Sequence, residues 1–168
     1  CTINRWAEKN LKPQRPAFIV HRLDRAATGL IIIAHQKTMA TYFSNLFQSR
    51  AIEKIYQAIV WGEFPNELTL TSDIQNKSAL SHAKRLSYNP ESNQSLVSVT
   101  IETGRKHQIR RHLSEAHFPI VGDRLYGQSS TYTSNLCLSS TYLAFISPID
   151  GATKSYQLPD HLRLLFPH

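Results

Sequence analysis

The sequence predicts an α+β fold with a largely antiparallel sheet flanked by helices. Two segments repeat apolar residues at helical spacing, while several short runs are rich in β-branched and aromatic residues, as strands are. Turn signals such as Asn89-Pro90 and Asp150-Gly151 separate neighbouring runs. Because such short turns join antiparallel strands, the sheet is expected to consist mainly of hairpins.

Each predicted helix has one apolar face. Met39, Phe43, Leu46 and Phe47 form a stripe through residues 37–50. A second stripe predicts a helix over about residues 105–117, with Thr103 as its N-cap; its members are Ile109, Leu113 and Ala116.

The rest of the chain is predicted as strands, turns and loops, without a third helix. The least regular stretches are residues 75–82 and 128–135, which are rich in Ser, Asn and Gln. Predicted strands cover residues 17–20, 30–35, 52–61, 68–71, 83–88, 96–101, 136–146 and 154–158.

Composition indicates one domain of 168 residues whose partner is anionic. Lys and Arg number 19 against 12 Asp and Glu, a formal charge of +7, which is typical of proteins that bind polyphosphate. No apolar run approaches the length of a membrane span, so no membrane association is expected. Cys1 and Cys137 show no disulfide or zinc spacing, which favours the reducing cytoplasm.

The polar loop HRLDRAATGL, residues 21–30, places one carboxylate, Asp24, between two arginines and two apolar runs. A turn-forming or ion-paired aspartate is the alternative to a catalytic one if the loop is taken alone. A second stretch, residues 102–127, concentrates positive charge around the start of the second helix, which attracts anions; its cations are Arg105, Lys106, Arg110, Arg111 and Arg124.

A solvated basic helix face would explain these cations equally well. His107 and His112 are five residues apart, fall on different faces of a helix, and have no accompanying carboxylate motif. The sequence therefore predicts no metal site.

Together the two stretches resemble signatures of the RluA-type pseudouridine synthases. HRLDRAATGLIIIA resembles the family's HRLDxxTSGxxxxA, and TGRKHQIRRHLSEAHFPIVGDRLYG resembles TGRxHQIRxHxxxxGxPIxGDxxYG. KIYQAIVWG, residues 54–62, is similar to the family's KxYxAxVxG strand. The resemblance implies the pseudouridine synthase catalytic fold, an α+β fold around a central, mostly antiparallel mixed sheet.

The resemblance also implies a reaction, the isomerisation of a uridine to pseudouridine within RNA without a cofactor. Asp24 corresponds to the catalytic carboxylate, acting either as nucleophile at C1′ or as base toward C2′. Arg110 corresponds to the arginine that pairs with it, and Tyr56 to the active-site tyrosine beside the target base. Ile109 would line the floor under the uracil, and Arg22 would fill the gap that the flipped nucleotide leaves.

The expected substrate is a tRNA or ribosomal RNA stem-loop, bound by a monomer that needs no protein partner. Cations would hold the RNA backbone while the target base is splayed out. The candidates for phosphate contacts are Arg25, Arg105, Lys106, Arg111 and Arg124.

Two other classes of protein fit parts of this pattern. A non-catalytic RNA-binding protein on the same scaffold would need the cations but not Asp24. A glycoside-cleaving enzyme would need a second carboxylate, for which Asp123 is the candidate within these motifs, although its Gly-Asp-Arg setting indicates a turn.

The family's opening KPxG strand and turn are expected to lie upstream of Cys1. The expectation is that residues 1–168 form a single catalytic domain that lacks its N-terminal strand and comes from a longer chain.

Overall fold

The predicted α+β class is confirmed by the computed structural model, which describes residues 2–127 and 135–166. The helices are α1 (Ile3–Asn10), α2 (Lys37–Gln48) and α3 (Gln108–Glu115), and Asp160–Leu162 form one turn of 3₁₀ helix. The strands are β1 (Phe18–Ile19), β2 (Thr28–Gly29), β3 (Ile33–Ala34), β4 (Glu53–Trp61), β5 (Glu67–Leu70), β6 (Ser81–Asn89), β7 (Gln94–Ile101), β8 (Leu138–Ile146) and β9 (Thr153–Gln157).

Seven strands form the main sheet, in the order β2-β8-β4-β7-β6-β5, with β9 pairing along the rest of β8. The ladder between β2 and β8 is parallel, and the other ladders of this sheet are antiparallel. Strands β1 and β3 form a separate two-stranded ribbon. The expectation of a mixed, mostly antiparallel sheet is therefore confirmed.

Both predicted hairpins are present. Strands β6 and β7 are joined at Pro90, where Asn89 pairs with Gln94. Strands β8 and β9 are joined through Gly151, whose φ of 65° is readily available to glycine.

The two predicted helices pack by their apolar stripes. Ile109 and Leu113 of α3 enter the main core, where they meet Val97 and Val99 of β7. Phe43, Leu46 and Phe47 of α2 pack on a smaller cluster with its buried residues Ile52, Leu143 and Phe145. The core thus holds α3 against the sheet, and α3 carries part of the motif at residues 102–127.

Helix α1 was not predicted from the sequence. It spans only Ile3–Asn10 and buries a single residue, Ala7, while Trp6 stays 49% exposed. So short an element offers two turns of periodicity, and its apolar residues do not form a buried stripe that a pattern could reveal.

The prediction of one strand over residues 30–35 is wrong. The chain instead forms β2 and β3, because Gly29 has a φ of 102° that turns the backbone out of the extended conformation. The amide of Ile32 donates to the ring Nε2 of His21 at 2.8 Å rather than to a neighbouring strand. Strand β1 is likewise shorter than the predicted 17–20, since its partner β3 has only two residues.

No helix within the described ranges is long and apolar enough to cross a membrane. Cys137 carries a free thiol. Cys1 and nearly all of the predicted irregular stretch 128–135 lie outside the described residues.

His21 anchors the loop that carries Asp24. Its ring stacks on Phe47 of α2 with 4.3 Å between ring centroids, and it accepts the Ile32 hydrogen bond through Nε2. Burial, assisted by the positive charge of Lys54, lowers the pKa of His21 to about 4. The folded protein therefore holds this imidazole neutral at physiological pH.

The neutral state of His21 predicts acid sensitivity. The unfolded chain binds a proton near pH 6.5 and the folded chain only near pH 4, so stability is lost as pH falls through this window. At about 1.4 kcal/mol per pKa unit, the loss by pH 4 is on the order of 3 kcal/mol. Urea unfolding from pH 7 to 4 should show a smaller decline for His21→Gln, which has an acceptor that does not titrate. Parallel declines for the two proteins would refute this role of His21.

Gly29 is expected to tolerate no side chain. A Cβ at this position would collide with the backbone carbonyl of Ser140 in β8, and its positive φ is unfavourable for other residues. Gly29→Ala should lower the free energy of unfolding by roughly 2–4 kcal/mol. Gly104→Ala is the matched control, because a Cβ there meets no atom within 4 Å. Equal denaturation midpoints for the two variants would show that β2 does not need this close approach.

Candidate active site

A cavity of about 370 Å³ opens beside the loop that bears Asp24. Its walls come from this loop, from β4, β7 and β8, and from the residues that lead into α3. Among the residues predicted from the sequence, it is lined by Arg22, Asp24, Tyr56, Arg105, Lys106 and Ile109. The structure thus brings together three motifs that are far apart in the sequence.

The Asp24 carboxylate lies at the edge of this cavity. Its side chain is 22% exposed, and its carbonyl accepts the amide of Ala27 at 2.9 Å, which closes a turn. Arg110 Nη1 lies 3.4 Å from Asp24 Oδ2, and His107 Nε2 lies 3.8 Å from Oδ1. Two cationic or ionisable side chains therefore face one carboxylate that remains open to a ligand.

Arg110 is held from behind by a second carboxylate. Its Nε and Nη2 donate to Asp123 at 2.8 and 2.7 Å, a two-bond pair that fixes the plane of the guanidinium. The amides of Leu125 and Tyr126 donate to Asp123 Oδ1 at 2.9 and 3.1 Å. The ring of Tyr126 also packs against Arg110, with 5.2 Å from guanidinium carbon to ring centroid.

Asp123 is an ionised partner, as the direction of its pKa shows. Burial alone would raise the pKa of this carboxyl, but the hydrogen bonds from Arg110 and the amides of Leu125 and Tyr126 lower it below its usual value. The bond to Asp123 raises the pKa of Arg110 in turn. Asp123 was interpreted from the sequence as a turn former; it does form that turn, and it also holds the arginine.

The start of α3 differs from the prediction. The helix begins at Gln108, and Thr103 is not its N-cap. Thr103 Oγ1 donates to Gln108 Oε1 at 2.6 Å and accepts the amide of Leu80 at 3.0 Å. The Gln108 side chain also accepts the amide of Arg105, so Thr103 and Gln108 together fix the loop that leads into the helix.

His107 occupies the N-cap position with a φ of 55°, which is uncommon for a residue other than glycine. This conformation directs its ring to Tyr126, whose hydroxyl lies 2.9 Å from Nδ1. Backbone strain of this kind is concentrated at functional sites. His107 and Tyr126 are site residues that the sequence analysis did not select, although both lie within the quoted motif.

Tyr56 reaches the cavity at an irregularity in the sheet. The register between β4 and β8 shifts after Ile55, which pairs with Tyr142. Tyr56 then pairs with Ser140, so Thr141 is the extra residue of β8, with no register partner in β4. Bulges of this kind often re-aim a side chain beside an active site. Burial raises the pKa of Tyr56 to about 12; the nearby charge of Asp24 adds to the rise, and the neighbouring Ser140 side chain opposes it.

The predicted phosphate-contacting residues do not all lie at the cavity. Arg105 and Lys106 line it, whereas Arg25 and Arg124 are exposed outside its lining. Arg111 lies 3.8 Å from Glu115, one turn along α3. Within residues 2–127 and 135–166, no three His, Cys, Asp or Glu side chains are grouped as metal ligands would be.

Asp123→Asn tests the pair that holds Arg110. The change removes the closer and fully buried of the two carboxylates that face Arg110, and breaking a buried ion pair typically costs about 3–5 kcal/mol of stability. Denaturant unfolding at pH 7 should show this loss, while Asp150→Asn, which breaks an exposed pair with Lys154, should leave the unfolding midpoint almost unchanged. A similar small effect at both positions would contradict the assigned importance of Asp123.

Comparison with known proteins identifies the family. Residues 4–115 match the family model described as RNA pseudouridylate synthase. The chain is 34% identical over 157 residues to an uncharacterized RNA pseudouridine synthase of Chloroflexus aurantiacus, and the match covers 84% of this chain and 49% of that protein. It is 33% identical over 154 residues to the dual-specificity RNA pseudouridine synthase RluA of Haemophilus influenzae, covering 81% and 70% of the two chains.

The solved structure of human RNA Pseudouridylate Synthase Domain Containing 1 has the same fold. The TM-score is 0.76 at 24% identity, over 86% of this chain and 69% of the human one. The chain spans about half the length of the Chloroflexus relative. By its sequence match and its fold, the chain belongs to the RluA-type family of RNA pseudouridine synthases.

Proposed function

We propose that this protein isomerises a specific uridine to pseudouridine in structured RNA. The observation that carries the proposal is the position of Asp24, open to the same cavity as Tyr56 and Ile109 and 3.4 Å from Arg110. Membership of the family supports the same reaction. The reaction is expected to need no cofactor.

The chemistry requires one carboxylate beside the sugar. The N1–C1′ bond breaks, the uracil turns while it is held, C5 bonds to C1′, and the proton of C5 is replaced by one at N1. Asp24 would serve either as a nucleophile at C1′ or as a base toward C2′. Arg110 is placed to orient this carboxylate, because its own plane is held by Asp123.

Tyr56 would act as a donor at the target base. With a pKa of about 12, its phenol keeps its proton at neutral pH and cannot serve as a base there. Ile109 is 5% exposed and offers an apolar surface against which a planar base can rest. Arg22, which is exposed at the rim of the cavity, would occupy the space that the extruded nucleotide leaves in its stack.

We infer that the substrate is a tRNA or ribosomal RNA stem-loop. Similar proteins carry the names ribosomal large subunit pseudouridine synthase D in Zymomonas mobilis and tRNA pseudouridine synthase C in Pectobacterium carotovorum. The net charge of +7 favours binding to such a polyanion. We propose that the protein acts as a monomer in the cytoplasm. The residues proposed to contact phosphates are Arg25, Arg105, Lys106, Arg111 and Arg124.

Glycoside cleavage is not favoured. Its general acid must hold a proton at neutral pH, whereas Asp123 has a lowered pKa and both its oxygens bind Arg110. Non-catalytic RNA binding is the remaining alternative. Such binding would not require Asp24, whereas catalysis does.

Asp24→Asn should abolish turnover and leave RNA binding intact. The amide keeps the shape of the carboxylate but lacks its charge and its nucleophilic or basic oxygen. Tritium release from 5-tritiated RNA should fall by at least about 10³-fold. The matched control is Asp73→Asn, which removes a carboxylate from an exposed loop and should retain full activity. Activity of Asp24→Asn within tenfold of the unmodified protein would rule out catalysis by Asp24.

A further inference from the structure

A second cavity, the side groove, adjoins the active-site cavity. Gly104 and Arg105 line both cavities, so the backbone at these two residues forms a ridge between them. The side groove has a volume of about 480 Å³, and its other lining residues are Val20, Ser44, Phe47, Gln48 and Arg50. Arg50 was not among the residues that the sequence motifs selected.

Arg50 has an unusual backbone conformation. It follows the end of α2 with a φ of 60°, and Ala51 donates to the carbonyl of Leu46 at 2.9 Å to close the helix. Glycine is the usual residue at this position of a helix end, because a side chain is disfavoured at positive φ. An arginine held in this conformation indicates that its side chain has a use outside the local fold.

The side groove carries positive charge without a neutralising carboxylate. None of its described lining residues is acidic, and Arg50 has no ion pair with a described residue. Arg105 directs its Nε to the carbonyl of Ser78 at 3.2 Å, which leaves its terminal nitrogens for another acceptor. The groove therefore presents two guanidinium groups that can each make a paired contact with phosphate oxygens.

The charges around Arg50 have both signs. Arg50 also borders a cavity that contains Glu53 and Glu102, and Glu102 lies 3.0 Å from His82. Lys54, whose side chain is largely buried, adds a further positive charge there. Burial and then the charge of Arg50 lower the pKa of Lys54, as expected where cations are close and unpaired.

The ridge itself offers a hydrogen-bond donor. The amide of Gly104 donates to no group among the described residues, and a Cβ at Gly104 would meet no atom within 4 Å. A polyanion can therefore approach the backbone closely at this point. The path from the active-site cavity to Arg50 thus passes an open amide and the Arg105 side chain.

From this continuity we propose that the side groove binds the phosphodiester of a nucleotide that flanks the target uridine. The RNA strand crosses the ridge at Gly104, and Arg50 together with Arg105 holds the phosphate beyond it. This proposal rests on the proposed function and extends its RNA path to the end of α2. Since a flanking phosphate is contacted alike before and during the reaction, Arg50 contributes to RNA affinity and not to the chemical step.

The test compares Arg50→Gly with the unmodified protein. Glycine removes the guanidinium and suits the positive φ, so the variant is expected to melt no lower than the unmodified protein. Its affinity for bulk tRNA, measured by filter binding, should fall about 5- to 10-fold, and the slope of log affinity against log salt should shrink by about one. On 5-tritiated total RNA, the apparent KM should rise by a similar factor with kcat retained within about twofold.

Two further variants complete the test. Arg50→Lys keeps the charge and should recover part of the lost affinity, although it lacks the paired contact of the guanidinium. Lys84→Gln removes one charge on β6, where Lys84 pairs with Glu67 of β5 and lines neither cavity, and should leave binding and turnover unchanged.

Unchanged affinity and salt slope in Arg50→Gly would overturn the side-groove proposal, and so would equal losses in Arg50→Gly and Lys84→Gln. A fall in kcat without a change in KM would also overturn it, because Arg50 would then act on the chemistry. Failure of the proposed function has a different signature, since the unmodified protein would then release no tritium at all. Absence of binding to both tRNA and ribosomal RNA by the unmodified protein would overturn both proposals.

Discussion

The Arg110 guanidinium lies between two carboxylates, and the geometry of the site depends on this arrangement. The Asp123 side chain is fully buried and that of Arg110 is 8% exposed, so neither charge is stable there without the other. Their paired hydrogen bonds join α3 to the turn at residues 123–126 and leave Nη1 directed at Asp24. The buried pair of Arg110 and Asp123 therefore stabilises the fold here, while the longer contact between Arg110 and Asp24 can change when a nucleotide binds.

The loop that bears Asp24 is held at both of its ends. On one side, His21 stacks on Phe47 and accepts the amide of Ile32; on the other, the backbone of Gly29 lies against Ser140. Ser140 of β8 also pairs with Tyr56 of β4, next to the shift in register between these strands. Strand β8 thus sets the Asp24 loop and Tyr56 relative to each other, which explains how residues 32 positions apart come to share one cavity.

The sequence predicted those elements whose signals are local. Helix α2 and strands β4 to β9 follow from apolar periodicity and turn residues, and the three motifs contain Asp24, Tyr56 and Ile109, which line one cavity in the structure. Non-local interactions account for the errors. The predicted strand at 30–35 fails because the Ile32 amide bonds to His21, 11 residues away, and Thr103 does not cap α3 because its hydroxyl bonds to the Gln108 side chain and the Leu80 amide. Asp123 has the local sequence of a turn, and its partnership with an arginine 13 residues earlier becomes visible only in the structure.

Pseudouridine mapping of total RNA, incubated with and without the protein, tests the central claim most directly. Isomerisation leaves the mass of the RNA unchanged, so mapping separates it from base removal, which leaves an abasic site, and from binding, which leaves uridine. If the Asp24 cavity performs the proposed reaction, pseudouridine should appear at one or a few defined uridines of tRNA or ribosomal RNA only in the treated sample. Identical maps from the two samples, or abasic sites at the bound positions, would contradict the account.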